Sequence, residues 1–191
     1  RAVASPAMNI LAVIHYPTFG GPHNRTMRIA PMLQASGVQT TVLTTSESGP
    51  GAEVLREAGI DVVTEPLGRL RRTGSLLTHA RVAAGLARDV AMIRRVIRER
   101  KIDLVQVNGL PNPHAAIAGR LEGVAVVWHL LDLQTPVVAK EPLMLLVRAL
   151  ADVVMTAGHE LARLHRGADS FGDRLVPFYP PVDTAQFAPD A

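Results

Sequence analysis

Residues that could bind a phosphate follow the first apolar run of the sequence. His15 closes that run, and Tyr16, Phe19 and the glycine pair Gly20 and Gly21 lead into a segment rich in arginine. Paired glycines let the backbone approach a ligand closely, and the N-terminus of a following helix favours an anion. The spacing predicts a loop that faces an anionic group, and an ordinary tight turn is the alternative.

Two common phosphate-binding chemistries do not fit this loop. No third glycine stands at the spacing of the dinucleotide-binding fingerprint, and the second predicted strand ends in Thr44, Thr45 and Ser46 without a carboxylate at its tip for a ribose. No Gly-Lys-Ser or Gly-Lys-Thr follows the glycines, as a P-loop requires. The sequence therefore disfavours nicotinamide chemistry and ATP hydrolysis.

A second group of candidates stands at the ends of later apolar runs. Asn108 and Gly109 follow one run, His129 follows the next, and Asp132 comes shortly after it. A histidine in that position could contact a ligand or transfer a proton, with Asp132 as a nearby general base. The alternatives are a buried histidine that only satisfies the core and a carboxylate on a surface loop.

Composition disfavours several other classes. Cysteine is absent, the seven histidines show no metal-ligand spacing, and no Gly-x-Ser-x-Gly occurs, so we predict no metal, no thiolate and no serine nucleophile. A net charge of +3 with 4% aromatic residues does not suit a nucleic-acid-binding domain. No apolar run is long enough for a membrane span, and the sequence predicts a cytoplasmic protein.

Arginine dominates the positive charge. Of the 20 cationic residues, all but Lys101 and Lys140 are arginine. Arg69, Arg71 and Arg72 form one cluster, and the long predicted helix that follows adds further arginines. Such a cluster is either a solvated face or a surface that contacts the inner face of an anionic membrane.

Short apolar runs alternate with helical patterns along the chain. Strands are predicted at 9–15, 38–45, 60–65, 102–107, 124–128, 152–155 and 174–178, and helices at 25–36, 51–58, 75–100, 113–121, 141–150 and 159–166. Asn24 is the predicted N-cap of the first helix, and Pro31 is expected to kink or split it. The alternation predicts a doubly wound, mostly parallel, Rossmann-like α/β sheet, in which ligands bind outside the carboxyl ends of the strands.

The motifs in this order resemble a known family. The segments "GGPHNRTMRIAPML", "ASGVQTTVLTT", "KIDLVQVNG", "GVAVVWHLLD", "ADVVMTAGHELARL" and "VPFYPPVDTAQFAPD" are similar to the N-terminal, acceptor-binding domain of GT-B glycosyltransferases, in particular the retaining family 4 enzymes. The resemblance spans almost the whole chain. It departs from the family pattern where Leu130 and Leu131 separate His129 from Asp132, and where Thr156, Ala157 and Gly158 replace the usual serine context.

The resemblance implies roles for the candidate residues. Gly20 and Gly21 correspond to the loop that faces the donor's diphosphate, and His129 to the histidine that contacts the transferred sugar. The loops around His15, Tyr16 and Asn108 correspond to the acceptor side. Retaining members are thought to use the leaving phosphate to deprotonate the acceptor, so they need no protein base, whereas an inverting relative would need His129 or Asp132.

The same resemblance divides the chain and leaves alternatives. Residues 1–7 are expected to be a leader, 8–179 the acceptor-binding domain, and 180–191 the start of a linker to a donor-binding domain that lies outside this sequence. The expected substrates are a nucleotide-sugar donor and a glycan, lipid or small-molecule acceptor, and the 191 residues alone are expected to be inactive. A GT-B sugar-nucleotide epimerase and a non-catalytic ligand-binding module remain the alternatives.

Overall fold

The computed structural model describes residues 8–68, 76–131, 135 and 137–180. The seven strands of this part are β1 (Met8–Ile14), β2 (Val38–Thr45), β3 (Asp61–Glu65), β4 (Leu104–Asn108), β5 (Ala125–Leu130), β6 (Val153–Ala157) and β7 (Leu175–Phe178). The helices are α1 (Gly21–Ala35), α2 (Gly51–Glu57), α3 (Leu76–Glu99), α4 (Pro113–Glu122), α5 (Val137–Leu150) and α6 (Gly158–Leu164), with a 3-10 segment at Ala168–Arg174.

All seven strands form one sheet in the order β3-β2-β1-β4-β5-β6-β7, and every pairing is parallel. This confirms the Rossmann-like fold that the alternating pattern predicts. The chain builds outward from β1 to β3 on one side and from β4 to β7 on the other. The strand order therefore reverses between β1 and β4, and the carboxyl ends of these two strands are where such sheets bind ligands.

Helices cover both faces of the sheet because successive side chains of a strand point to opposite sides. Leu11 and Val13 of β1 belong to a core shared with α3, α4 and α5. Ala12 and Ile14 of the same strand pack in a second cluster with α1 and α2. All four side chains are almost fully buried. This burial on both faces explains why the strand reads as a continuous apolar run.

Several polar residues that the sequence places after a strand lie inside it. Asn108 is the last residue of β4, His129 is the fifth residue of the six in β5, and Thr156 belongs to β6. The β4–β5 register pairs Asn108 with His129, one residue beyond the predicted end of β5, and the β5–β6 register continues to Leu130. The prediction ended these strands too early because their last residues are polar while their backbones still pair.

The first helix also differs from the prediction. It begins at Gly21, and Pro22 lies in its first turn, so Asn24 is not the N-cap. Gly20 is the N-cap and provides no side-chain hydrogen bond. Proline suits the first helical turn because its missing N–H would have no partner there. Pro31 does not split the helix, which continues to Ala35.

Two further elements depart from expectation. The helix α5 starts at Val137 rather than at 141, with Pro142 inside it. The 3-10 segment at Ala168–Arg174 was not predicted, and it buries Phe171. Its two parts meet at a kink at Gly172, so no helical periodicity marks it in the sequence.

Candidate ligand-binding site

A cavity of about 500 Å³ opens at the carboxyl ends of β1 and β4, where the strand order reverses. Its lining comes from the β1–α1 loop, the first two turns of α1, and the ends of β4, β5 and β7. The lining residues are Tyr16, Gly21, Pro22, Asn24, Arg25, Arg28, Asn108, Gly109, Leu131, Phe178 and Pro180. The volume is that of a typical small-molecule site.

The glycine pair leaves the front of this cavity open. A Cβ atom at either Gly20 or Gly21 would meet no heavy atom within 4 Å. Gly20 is extended, with φ −158°, and Gly21 does not have a positive φ, so neither position requires glycine for its conformation. What glycine provides here is space, which allows a ligand to approach the backbone.

A different pair of glycines holds the loop in place. A Cβ atom at Gly51 would lie 2.8 Å from the Pro17 carbonyl oxygen and 2.7 Å from Nε2 of His23, and one at Gly49 would also collide with Pro17. The Gly51 amide donates a hydrogen bond of 2.8 Å to the Pro17 carbonyl. The start of α2 therefore packs directly on the β1–α1 loop and fixes its position.

The end of β4 is fixed by side-chain amides and by tryptophan. Asn108 and Asn112 each donate from Nδ2 to the Val13 carbonyl, at 3.3 and 3.2 Å. Gly109 has φ +89°, a left-handed conformation that favours glycine. Its amide donates to the His129 carbonyl, and its carbonyl accepts from Nε1 of Trp128, both at 3.0 Å. The cavity floor thus joins β1, β4 and β5 through buried hydrogen bonds.

His129 is buried behind the cavity lining. Its ring centroid lies 5.6 Å from that of Phe178, which does line the cavity, and its Nδ1 has no hydrogen-bond partner among the described residues. Burial, reinforced by the positive charge of Arg25, lowers the pKa of His129 to about 3. The imidazole is therefore neutral near pH 7 and a weak proton acceptor, which does not suit a general base.

Arg25 is the charged group closest to the cavity floor. Its side chain projects from the second turn of α1 and the residue is only 8% exposed. Nη2 donates to Oδ1 of Asn108, and the guanidinium carbon lies 5.4 Å from the centroid of the Phe178 ring. Burial lowers the pKa of Arg25 to about 10, so the group stays charged at neutral pH.

The structure brings together some of the predicted site residues. Tyr16, Gly21, Asn108 and Gly109 line the cavity. His15 is buried beneath it, with its ring centroid 4.1 Å from that of Tyr16. The others lie beside it or outside the described residues: Gly20, Phe19 and His129 do not line the cavity, and Asp132, Arg69, Arg71 and Arg72 lie outside the described part of the chain.

Sequence reasoning missed the cationic side of the site. Arg25 and Arg28 had no assigned role, and Asn24 was interpreted as a cap, although all three line the cavity. Arg28 Nε donates to Oδ1 of Asn24 at 3.2 Å. The signal that could have found them is Pro22, because a helix that starts at Gly21 places Asn24 and Arg25 within the helix, one turn from the glycine loop, rather than at its cap.

The arginines of α3 whose side chains the structure describes are paired rather than free. Arg94 and Arg98 share the carboxylate of Glu122, Arg95 pairs with Glu65, and Arg100, just past the helix, pairs with Asp61. Each ion pair reduces the net positive charge of this face. The helix therefore contributes less to an anion-attracting surface than its sequence suggests.

The described residues contain neither a membrane-spanning helix nor a cluster of metal ligands. No helix in that part of the chain is long and apolar enough to cross a bilayer. No group of three or more His, Cys, Asp or Glu side chains there could hold a metal ion.

A fully parallel doubly wound sheet with a cavity at its switch point defines a class of ligand-binding α/β domains. Within that class the chain belongs to a family: residues 20–180 match the model of the glycosyl transferase 4-like domain.

Several known proteins are similar to this chain in part of their sequence or in their fold. A protein of Gloeothece citriformis named UDP-N-acetylglucosamine--N-acetylmuramyl-(pentapeptide) pyrophosphoryl-undecaprenol N-acetylglucosamine transferase is 40% identical over 60 residues, 30% of this chain and 16% of its own. Anabaena HepE, crystallised with UDP, has a TM-score of 0.69 at 18% identity over 94% of this chain. A putative UDP-N-acetylglucosamine 2-epimerase from Listeria monocytogenes has a TM-score of 0.56 at 17% identity over 87% of it. The chain spans only 46% of HepE and 42% of the epimerase.

Proposed function

We propose that this chain is the acceptor-binding half of a retaining glycosyltransferase that moves a sugar from a nucleotide-sugar donor to a hydroxyl group. The observation that carries the proposal is the cavity at the switch point of a chain that belongs to the glycosyl transferase 4-like family. HepE was crystallised with UDP, which favours a nucleotide sugar as donor. The chain spans under half of that protein, so a second domain is expected to hold the nucleotide.

The properties of His129 support a mechanism without a protein base. A group with a pKa of about 3 accepts a proton poorly at neutral pH, and the buried His129 ring does not line the cavity. In the proposed reaction the leaving phosphate of the donor takes the proton of the acceptor hydroxyl. The protein's part is to hold donor and acceptor in register and to exclude water. His129 is then a buried neutral group packed against Phe178 of the cavity wall, and its proposed contact with the transferred sugar requires that ring to move.

An epimerase is the alternative activity, since two structural neighbours are named as epimerases. The described part of the cavity lining contains no carboxylate and no histidine, and His129, which packs on Phe178 of that lining, is a weak base. Proton abstraction from a sugar carbon would require a stronger base than these residues provide. The cavity therefore favours group transfer over epimerisation.

The decisive experiment supplies the native gene product with labelled nucleotide sugars and a small-molecule and lipid extract of its own cells. We expect a new glycosidic bond with the anomeric configuration of the donor, identified by NMR, and no turnover by residues 1–191 alone. Inversion of configuration would contradict retention. An isomerised nucleotide sugar without any acceptor product would support the epimerase. Turnover by the 191-residue chain alone would contradict the assignment as half of an enzyme.

A further inference from the structure

The cavity holds a positive charge for which the described protein offers no counter-ion. Arg25 is more than nine-tenths buried, and among the described residues its partners are the neutral Asn108 side chain and the Phe178 ring. Its Nε is buried without a hydrogen-bond partner among the described residues. Other arginines in the described part, such as Arg94, Arg98 and Arg120, pair with carboxylates. A buried cation without an anion is costly unless a ligand supplies one.

A second guanidinium lies beside the first. Arg28 follows Arg25 by three residues on α1, so the two share one face of the helix, and both line the cavity. Arg28 has an amide oxygen of Asn24 as its partner, at 3.2 Å. None of the described lining residues is Asp or Glu. The first turn of α1 also contains no acidic residue, so its positive N-terminal end adds to the same potential.

From these observations we propose that the cavity binds an acceptor that carries a phosphate group, with Arg25 and Arg28 as its cationic ligands. The proposal rests on the proposed transferase function and names its acceptor class. Two guanidinium groups match the charge of a phosphate better than that of a carboxylate, and their planar donor sets suit phosphate oxygens.

The position of the two arginines favours the acceptor over the donor as the source of that phosphate. Arg25 lies one helical turn beyond the glycine pair, and its cavity is walled by Tyr16, Leu131, Phe178 and Pro180, all from this domain. These apolar and aromatic walls would contact the organic part of a molecule whose phosphate reaches Arg25. A donor diphosphate facing the glycine pair would contact only the rim of the cavity.

The substitution Arg25→Met separates a binding role from a structural one. Asn108 Oδ1 also accepts a hydrogen bond of 3.2 Å from Nε2 of Gln106, so the change does not leave that oxygen without a donor. Removing an uncompensated buried charge should leave the melting temperature of the ligand-free protein unchanged or raise it. The same change should abolish the increase in melting temperature that phenyl phosphate, the test ligand, gives the unsubstituted protein. A purely structural arginine would lower the ligand-free melting temperature instead.

The test measures binding of phenyl phosphate and of phenol to the protein by calorimetry, with and without UDP. We expect phenyl phosphate to bind at least about tenfold more tightly than phenol, and Arg25→Met and Arg28→Gln to lose most of that difference. Arg100→Gln, which removes an ion pair remote from the cavity, is the matched control and should bind as the unsubstituted protein does.

Three outcomes would overturn the proposal. Phenyl phosphate could bind no better than phenol, or Arg25→Met could bind it unchanged. In the third, UDP would displace phenyl phosphate and Arg25→Met would weaken UDP to the same degree, which would assign the arginines to the donor. If sugar transfer persists alongside any of these results, the proposed function stands. Only the phosphate-bearing acceptor is then ruled out.

Discussion

The positive charge of Arg25 acts on His129 near the end of β5. Burial is the larger cause of the low pKa of His129, and the positive charge of Arg25 adds to it. Neither residue has a carboxylate partner among the described residues, so the pair forms a neutral base beside a persistent cation. This arrangement suits recognition of an anion more than proton transfer. Placing these side chains from sequence alone was not possible, since burial and cross-strand register decide both effects.

Gly21 is the residue at which space rather than conformation matters. The substitution Gly21→Ala introduces a Cβ atom that meets no protein atom and requires no unusual φ. We therefore expect thermal stability to remain within about 0.5 kcal/mol of the unsubstituted protein. We also expect sugar transfer by the complete enzyme to fall by about tenfold or more, because the methyl group occupies the approach to the cavity.

Gly85→Ala is the control for that prediction. Gly85 lies within α3, remote from the cavity, and its Cβ would also meet no neighbour. Its substitution should leave transfer unchanged. Equal transfer by the Gly21→Ala and unsubstituted proteins would show that the loop does not face a ligand.

The helix α1 and the segment before α2 show how one element positions another. The sequence identified both helices and the glycine pair but not which glycines are required by packing. Gly49 and Gly51 are required because the Pro17 carbonyl occupies the space of their Cβ atoms. That contact joins residues more than thirty positions apart, and no local pattern reveals it. The helix start, in contrast, was readable from Pro22 and was missed because Asn24 is a good cap residue.

Gly51→Ala tests the packing of α2 on the loop. The added Cβ would approach the Pro17 carbonyl oxygen to 2.8 Å, which backbone atoms do not tolerate. We expect the free energy of unfolding to fall by about 1–3 kcal/mol and ligand affinity to fall with it, because the displaced loop carries Tyr16. Urea unfolding and the calorimetric titration described above measure the two effects.

Gly85→Ala again provides the comparison. Replacing a helix-interior glycine that has free space should raise the free energy of unfolding by about 0.5–1 kcal/mol. If Gly51→Ala unfolds at the same urea concentration as the unsubstituted protein, the loop is not held by α2.

At the scale of the whole molecule, the fold was predictable and the site only partly so. Strand and helix order follow from apolar runs such as 38–45, whose predicted bounds agree with β2. The fully parallel sheet follows from burial on both faces. The cavity edge was predictable because the strand order places Tyr16 and Asn108 side by side. The contribution of Phe178 was not, because it arrives from a strand 70 residues beyond Asn108.

Buried neutral histidines make the stability of the whole domain depend on pH. Burial is the main cause that lowers the pKa of His129 to about 3 and of His114 to about 4, whereas both titrate near 6.5 when unfolded. Between pH 6.5 and about 4 the unfolded chain binds protons that the folded chain does not. Above pH 6.5 these histidines do not lower the free energy of unfolding. Below pH 6.5 it falls as pH falls, by up to about 1.4 kcal/mol per pH unit for each histidine.

Urea unfolding between pH 7.5 and 4.5 measures this slope. We expect His114→Gln to reduce this slope by up to about 1.4 kcal/mol per pH unit, the contribution of one bound proton. The residue is 4% exposed, and its Nε2 has no partner among the described residues. Gln34→Ala, an exposed substitution that removes no titratable group, should leave the slope unchanged. The same slope in His114→Gln and the unsubstituted protein would contradict the assignment.

Trp128 gives the domain an optical reporter of its own. It is the only tryptophan of the chain, it is fully buried, and its indole N–H is bonded to the carbonyl of Gly109, a residue of the cavity lining. Any ligand that shifts the end of β4 must change the polarity or the hydrogen bond that the indole experiences. Its fluorescence should therefore follow occupancy of the cavity without a label, and the signal comes from a single position.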